Sequence, residues 1–78
     1  MITYEEYKDE IRKVFREVFS YLPEGKREAY IEGYIKDNER NDTLKTYFEY
    51  MMNEYGEERT LARIQSFAAS AYMLYPEF

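Results

Sequence analysis

Phe67-Ala68-Ala69-Ser70-Ala71-Tyr72-Met73-Leu74-Tyr75 carries no charge, in a chain where 35% of residues are charged. A surface helix shows one apolar stripe, whereas a helix apolar all round must be covered by other protein. The stretch therefore predicts a buried C-terminal helix, about 58–75, at the centre of the fold with the other segments packed around it. Its larger apolar face comprises Leu61, Ile64, Phe67, Ala68, Ala71, Leu74 and Tyr75. A second face, made mostly of small residues, holds Ala62, Ser66, Ala69, Ser70 and Met73. Pro76 and Phe78 close the sequence, with Phe78 either tucked against the core or left as a sticky end.

Going back towards the start, the first helix has a clear signal. Thr3 followed by Glu6 is a capping-box pattern, and Ile2 with Tyr7 matches a hydrophobic staple. Tyr4, Tyr7, Ile11, Val14, Phe15, Val18, Phe19 and Leu22 then recur at helical spacing. Pro23 disfavours helix at the residue before it, so helix 1 should occupy about 4–20. Pro23 then suits the first turn of helix 2, about 24–37. Here Tyr30, Ile31, Tyr34 and Ile35 form a narrower stripe. Ala29 and Gly33 lie four residues apart on another part of this helix, where small side chains let a second helix come close.

Asp37-Asn38-Glu39-Arg40-Asn41-Asp42 is a polar connection. Its alternating oxygens suggest a calcium loop, but that loop needs Gly sixth and Glu twelfth, where this chain has Asp42 and Phe48. Caps are the better use, with Asn38 closing helix 2 and Asn41 or Asp42 opening helix 3. Helix 3 should run about 43–55, with Leu44, Tyr47, Phe48, Met51, Met52 and Tyr55 on one side. Gly56 fits a helix C-terminus, so a sharp turn there is favoured over one continuous rod that could exchange helix 4 between chains. The expected architecture is all-α: a compact four-helix bundle and a single domain, residues 1–78.

Composition narrows the function. With 78 residues and neither Cys nor His, the chain has no disulfide, no imidazole and none of the usual nucleophile–base pairs. Glu6/Glu10, Glu28/Glu32 and Glu54/Glu58 are spaced as carboxylate pairs, but no Glu-x-x-His accompanies them as bundle metal sites require. Gly25, Gly33 and Gly56 are isolated, so no phosphate loop is present. The expectation is a protein that is not an enzyme, with no catalytic residue, metal or cofactor.

The net charge of −5 opposes binding to phosphate backbones. Lys8, Arg12 and Arg16 do form a basic row on helix 1, but Glu5, Asp9 and Glu17 accompany it. Direct nucleic-acid binding is therefore not expected. Acids at the N-terminus and the lack of a long apolar run point to a cytoplasmic protein, in the host cytoplasm if phage-encoded, with no membrane partner.

Residues 42–59 carry five acids against Lys45 and Arg59. Tyr50 falls off the helix 3 stripe on the side of Asn53, Glu54 and Glu57. Tyr is enriched at binding hot spots, and acids steer a basic partner. The expected partner-binding residues are Glu49, Tyr50, Asn53, Glu54, Glu57 and Glu58. They would serve a small acidic, non-catalytic protein-binding module. By analogy of size and charge, such a module resembles phage or mobile-element inhibitors that occupy a basic, nucleic-acid-binding surface of a larger partner. The alternative is a structural homodimer with no partner for the acidic face. It would join through Ala29, Gly33, Ala62, Ser66, Ala69, Ser70 and Met73.

Overall fold

The computed structural model describes residues 1–75. Its first helix, α1, spans Tyr4–Val18 and starts from the capping box expected there. The Glu6 amide donates to Thr3 Oγ1 at 3.1 Å, and the Thr3 amide donates to Glu6 Oε1 at 2.8 Å. Two amides that a helix start leaves without partners are thereby satisfied. The helix stops two residues short of expectation, at Val18, where the chain turns ahead of Pro23. Pro23 stands at the N-cap of the second helix rather than inside its first turn. Its carbonyl accepts from the Arg27 amide at 2.9 Å.

The second helix, α2, spans Glu24–Glu39, two residues beyond its expected end. Asn38 does not end it; the side-chain amide donates back to the Tyr34 carbonyl at 2.8 Å. A single 3-10 turn, Arg40–Asp42, follows. Asn41 and Asp42 both take left-handed conformations, at φ 57° and 58°. Residues with short polar side chains tolerate that region best. Asp42 occupies the next N-cap position but makes no side-chain capping bond there.

The third helix, α3, is assigned over Thr43–Leu74, so the two expected C-terminal helices form one element. The architecture is all-helical, with three α-helices and a 3-10 turn assigned in place of the four separate helices expected. A straight helix of 32 residues would be about 48 Å long. The longest extent of the whole molecule is 39 Å. The difference lies at Gly56, where φ 84° and ψ 175° break the helix in a region open essentially to glycine alone. The second arm of α3 folds back beside the first, which brings the Tyr47 and Phe67 rings to 5.4 Å between centroids.

The deepest part of the core lies on α1. Tyr7, Ile11, Phe15 and Phe19 recur every fourth residue and are essentially inaccessible. They pack with Ile31 and Ile35 of α2, with Leu44 and Phe48 of the first arm, and with Ile64, Ala68 and Ala71 of the second. Each large side chain buried in this way contributes about 1.5–3 kcal/mol. At one end, Phe19 sits among the rings of Tyr21, Tyr30, Tyr72 and Tyr75, with centroids 5.0–6.1 Å away.

This arrangement corrects the expectation that the C-terminal helix is walled in. Only Thr60, Ile64, Ala68 and Ala71 of the second arm are buried. Ala62, Ser66, Ala69 and Ser70 are exposed, and Leu74, expected to point inward, is 83% exposed, as is Met73. Small uncharged residues are tolerated on a surface, so lack of charge did not require burial. The expected position of Phe78 lies outside the described residues.

Candidate functional site

The charged surface falls into two regions. Along the α1–α2 seam, the basic row of α1 is matched by acids of α2. Lys8 Nζ meets Glu39 at 3.0 Å and Glu5 at 3.1 Å. Arg12 Nε donates to Glu32 at 2.8 Å while its Nη1 holds Asp9 at 2.7 Å. Arg16 grips Glu28 with two guanidinium nitrogens, at 3.0 and 2.7 Å. Hydrogen bonding to Lys8 foremost, then to the Tyr4 hydroxyl, holds the Glu39 carboxyl below its ordinary range. Arg16 does the same to Glu28. The row therefore acts as an inter-helix ladder, with its cations already engaged.

The second region is the outer surface of α3 around Gly56. Glu49, Tyr50, Asn53, Glu54, Glu57 and Glu58 are all exposed. They do not form one face. Glu49 and Asn53 border a hollow with Met1, Ile2, Phe48 and Met52. Glu57 turns to the same flank, where Oε1 accepts from the Ile2 amide at 2.7 Å. Tyr50 leans to the opposite flank, into the space between the two arms of α3. Its hydroxyl is pushed up by hydrogen bonding with Tyr55 first and by the nearby Glu54 charge among lesser causes.

That space is a groove of about 610 Å³. Tyr47, Tyr50, Met51 and Tyr55 line it from the first arm. Arg59, Ala62, Arg63 and Ser66 line it from the second. Tyr50 and Tyr55 stand edge to face at 6.2 Å, and the Arg59 guanidinium lies 5.9 Å from the Tyr55 ring centre. Sequence reasoning missed this groove. A signal was present: neither Arg59 nor Arg63 has an acid three or four residues away in either direction, which leaves both without a helical ion-pair partner.

The residues expected to self-associate are also exposed. Ala29 and Gly33 of α2 are both open, and a Cβ at Gly33 would meet no atom within 4 Å. No helix among the described residues therefore approaches α2 closely at that point. Ala62 and Ser66 line the inter-arm groove, whereas Ala69 and Met73 border a shallow hollow with Val18, Gln65 and Tyr72.

Among the described residues, no group of three or more Asp or Glu side chains stands close enough to hold a metal ion, and no helix is long and apolar enough to cross a membrane. Comparison with protein-family models, curated proteins and solved structures finds no match.

Proposed function

We propose that the chain is a small, non-catalytic protein-binding module that presents an acidic surface of α3 to a basic surface of a larger partner. In this reading the two arms of α3 act as separate helices, and the molecule works as a four-helix bundle. One observation supports it above the others. Glu28, Glu32 and Glu39 of α2 are spent on α1, whereas Glu49, Glu54 and Glu58 are exposed with no ion-pair partner among the described residues. Unpaired carboxylates cost little in water and are free to steer a cationic surface. Tyr50, 53% exposed beside Glu54, supplies a large amphipathic contact. A nucleic-acid-binding surface is basic because it meets phosphates, so inhibition by occupancy is the corresponding activity, of the sort phage accessory proteins exert in a host cytoplasm.

The test compares wild type with the Glu49→Lys/Glu54→Lys variant and with Tyr50→Ala, using a protein captured from the source cell at low salt. Affinity should fall about tenfold or more in each variant and should fall with salt in the wild type. A partner held equally well by all three proteins removes this surface from the reading.

Homodimerisation is the second reading, supported by the exposure of Met73 and Leu74 at the end of α3. Light scattering should then show a dimer that Ala69→Trp disrupts. A monomer at high concentration disposes of it.

A further inference from the structure

Six arginines occur in the chain. Arg12, Arg16, Arg27 and Arg40 each hold a carboxylate at 2.7–3.3 Å. Arg59 and Arg63 hold none among the described residues, although acids outnumber bases by five. Both line the groove between the arms of α3. Spaced four residues apart on one helix, they lie on the same side, about 5–6 Å apart at Cβ. Three tyrosines face them across the groove.

The geometry points to a binding site in this groove for an organic phosphate monoester carrying a flat ring, of mononucleotide size. Two guanidinium forks suit a phosphate group, whose three terminal oxygens can engage both, whereas one fork already satisfies a carboxylate. Tyr50 and Tyr55, set at 76° to each other, offer one ring face and one edge to a flat ligand. The Arg59 guanidinium over Tyr55 keeps that ring oriented. The groove volume lies within the roughly 300–1,000 Å³ typical of small-ligand sites. A polynucleotide is disfavoured, because the net charge of −5 opposes its further phosphates. The site shares Tyr50 with the acidic surface but depends on Arg59 and Arg63 rather than on Glu49, so Arg63→Gln tests it independently of that surface.

The experiment is a calorimetric and NMR titration of the full chain with adenosine monophosphate, adenosine and inorganic phosphate in parallel. Adenosine monophosphate should bind saturably, with both controls weaker by about tenfold or more. Arg63→Gln should weaken it by a similar factor without changing the melting temperature, because Arg63 has no ion-pair or hydrogen-bond partner to lose among the described residues. Tyr50→Leu should bring adenosine monophosphate down to the affinity of inorganic phosphate. Absence of saturable binding at millimolar ligand overturns the assignment. So does binding unchanged in Arg63→Gln, or inorganic phosphate binding as tightly as the nucleotide.

Discussion

The Thr60 hydroxyl donates to the Gly56 carbonyl at 2.7 Å, from a side chain that is only 1% exposed. Thr60 is the only buried polar residue among those described, and its one hydrogen bond secures the corner where α3 reverses. Replacing Gly56 by Ala forces a Cβ into a positive-φ conformation, and the expected cost is about 1–3 kcal/mol. Space is not the obstacle, since a Cβ there would meet nothing within 4 Å. Thr60→Val keeps the shape but loses the bond, at about 1 kcal/mol. Urea unfolding of both variants tests this, and a Gly56→Ala protein as stable as wild type contradicts the account of the corner.

Tyr7 presents the opposite case. Its ring is fully buried against Phe48, with centroids 4.7 Å apart, yet its hydroxyl finds no partner among the described residues. An unsatisfied buried hydroxyl costs about 1–3 kcal/mol. Tyr7→Phe should therefore stabilise the fold, raising the melting temperature by several degrees for each kcal/mol recovered in a domain of this size. Tyr7→Ala should cost about 3–5 kcal/mol, through the cavity it leaves. A lower melting temperature in Tyr7→Phe shows that the hydroxyl has a partner after all.

Stability should depend on pH at both extremes. Burial, foremost, holds Tyr4, Tyr7, Tyr30 and Tyr34 above the ordinary phenol value of 10.0. The stability linked to these groups is complete below pH 10.0 and is lost as pH rises, because the unfolded chain gives up those protons first. Tyrosinate absorbance should therefore appear together with unfolding. On the acid side, Glu39 is held below its ordinary 4.5, so its contribution is present above that pH and fades as pH falls through the lowered value. Its side chain is 34% exposed, which limits the effect to a few tenths of a kcal/mol after screening. Glu39→Gln should flatten the acid limb of a melting-temperature profile by that amount. An identical acid limb in the variant rules out Glu39 as a contributor.

The α1–α2 ladder makes a prediction about polyanions. Lys8, Arg12 and Arg16 are engaged, so the wild-type protein should elute from immobilised heparin at low salt. The triple variant Glu28→Gln/Glu32→Gln/Glu39→Gln removes the row's partners on α2, leaving Lys8 with Glu5 and Arg12 with Asp9, and reduces net negative charge by three, and it should elute later. Equal retention would falsify the ladder as the reason for weak polyanion binding.

Local signals in the sequence were dependable. The Thr3–Glu6 box, the α1 stripe through Tyr7, Ile11 and Phe15, and the break at Gly56 all depend on residues within one or two turns of each other. Contacts between helices were harder to read. Nothing local says that Arg16 meets Glu28 or that Arg12 meets Glu32, because both pairings need two helices side by side. The six residues expected to bind a partner are all exposed, but they do not share one face. The bend sends Glu57 towards Ile2 and Tyr50 towards the second arm. The uncharged tail misled for a related reason. Ala69, Ser70 and Met73 lack charge, but the stripe of Ile64, Ala68 and Ala71 already meets the core's needs.

The two walls of the inter-arm groove belong to stretches whose chain reverses at Gly56. A small molecule lodged between them would staple the hairpin shut. It would add to the molecule's resistance to heat by RT ln(1 + [L]/Kd), with no new contact elsewhere. The fold could therefore report its own occupant, since a plain thermal-shift screen of metabolite libraries would read any such guest directly as a rise in melting temperature.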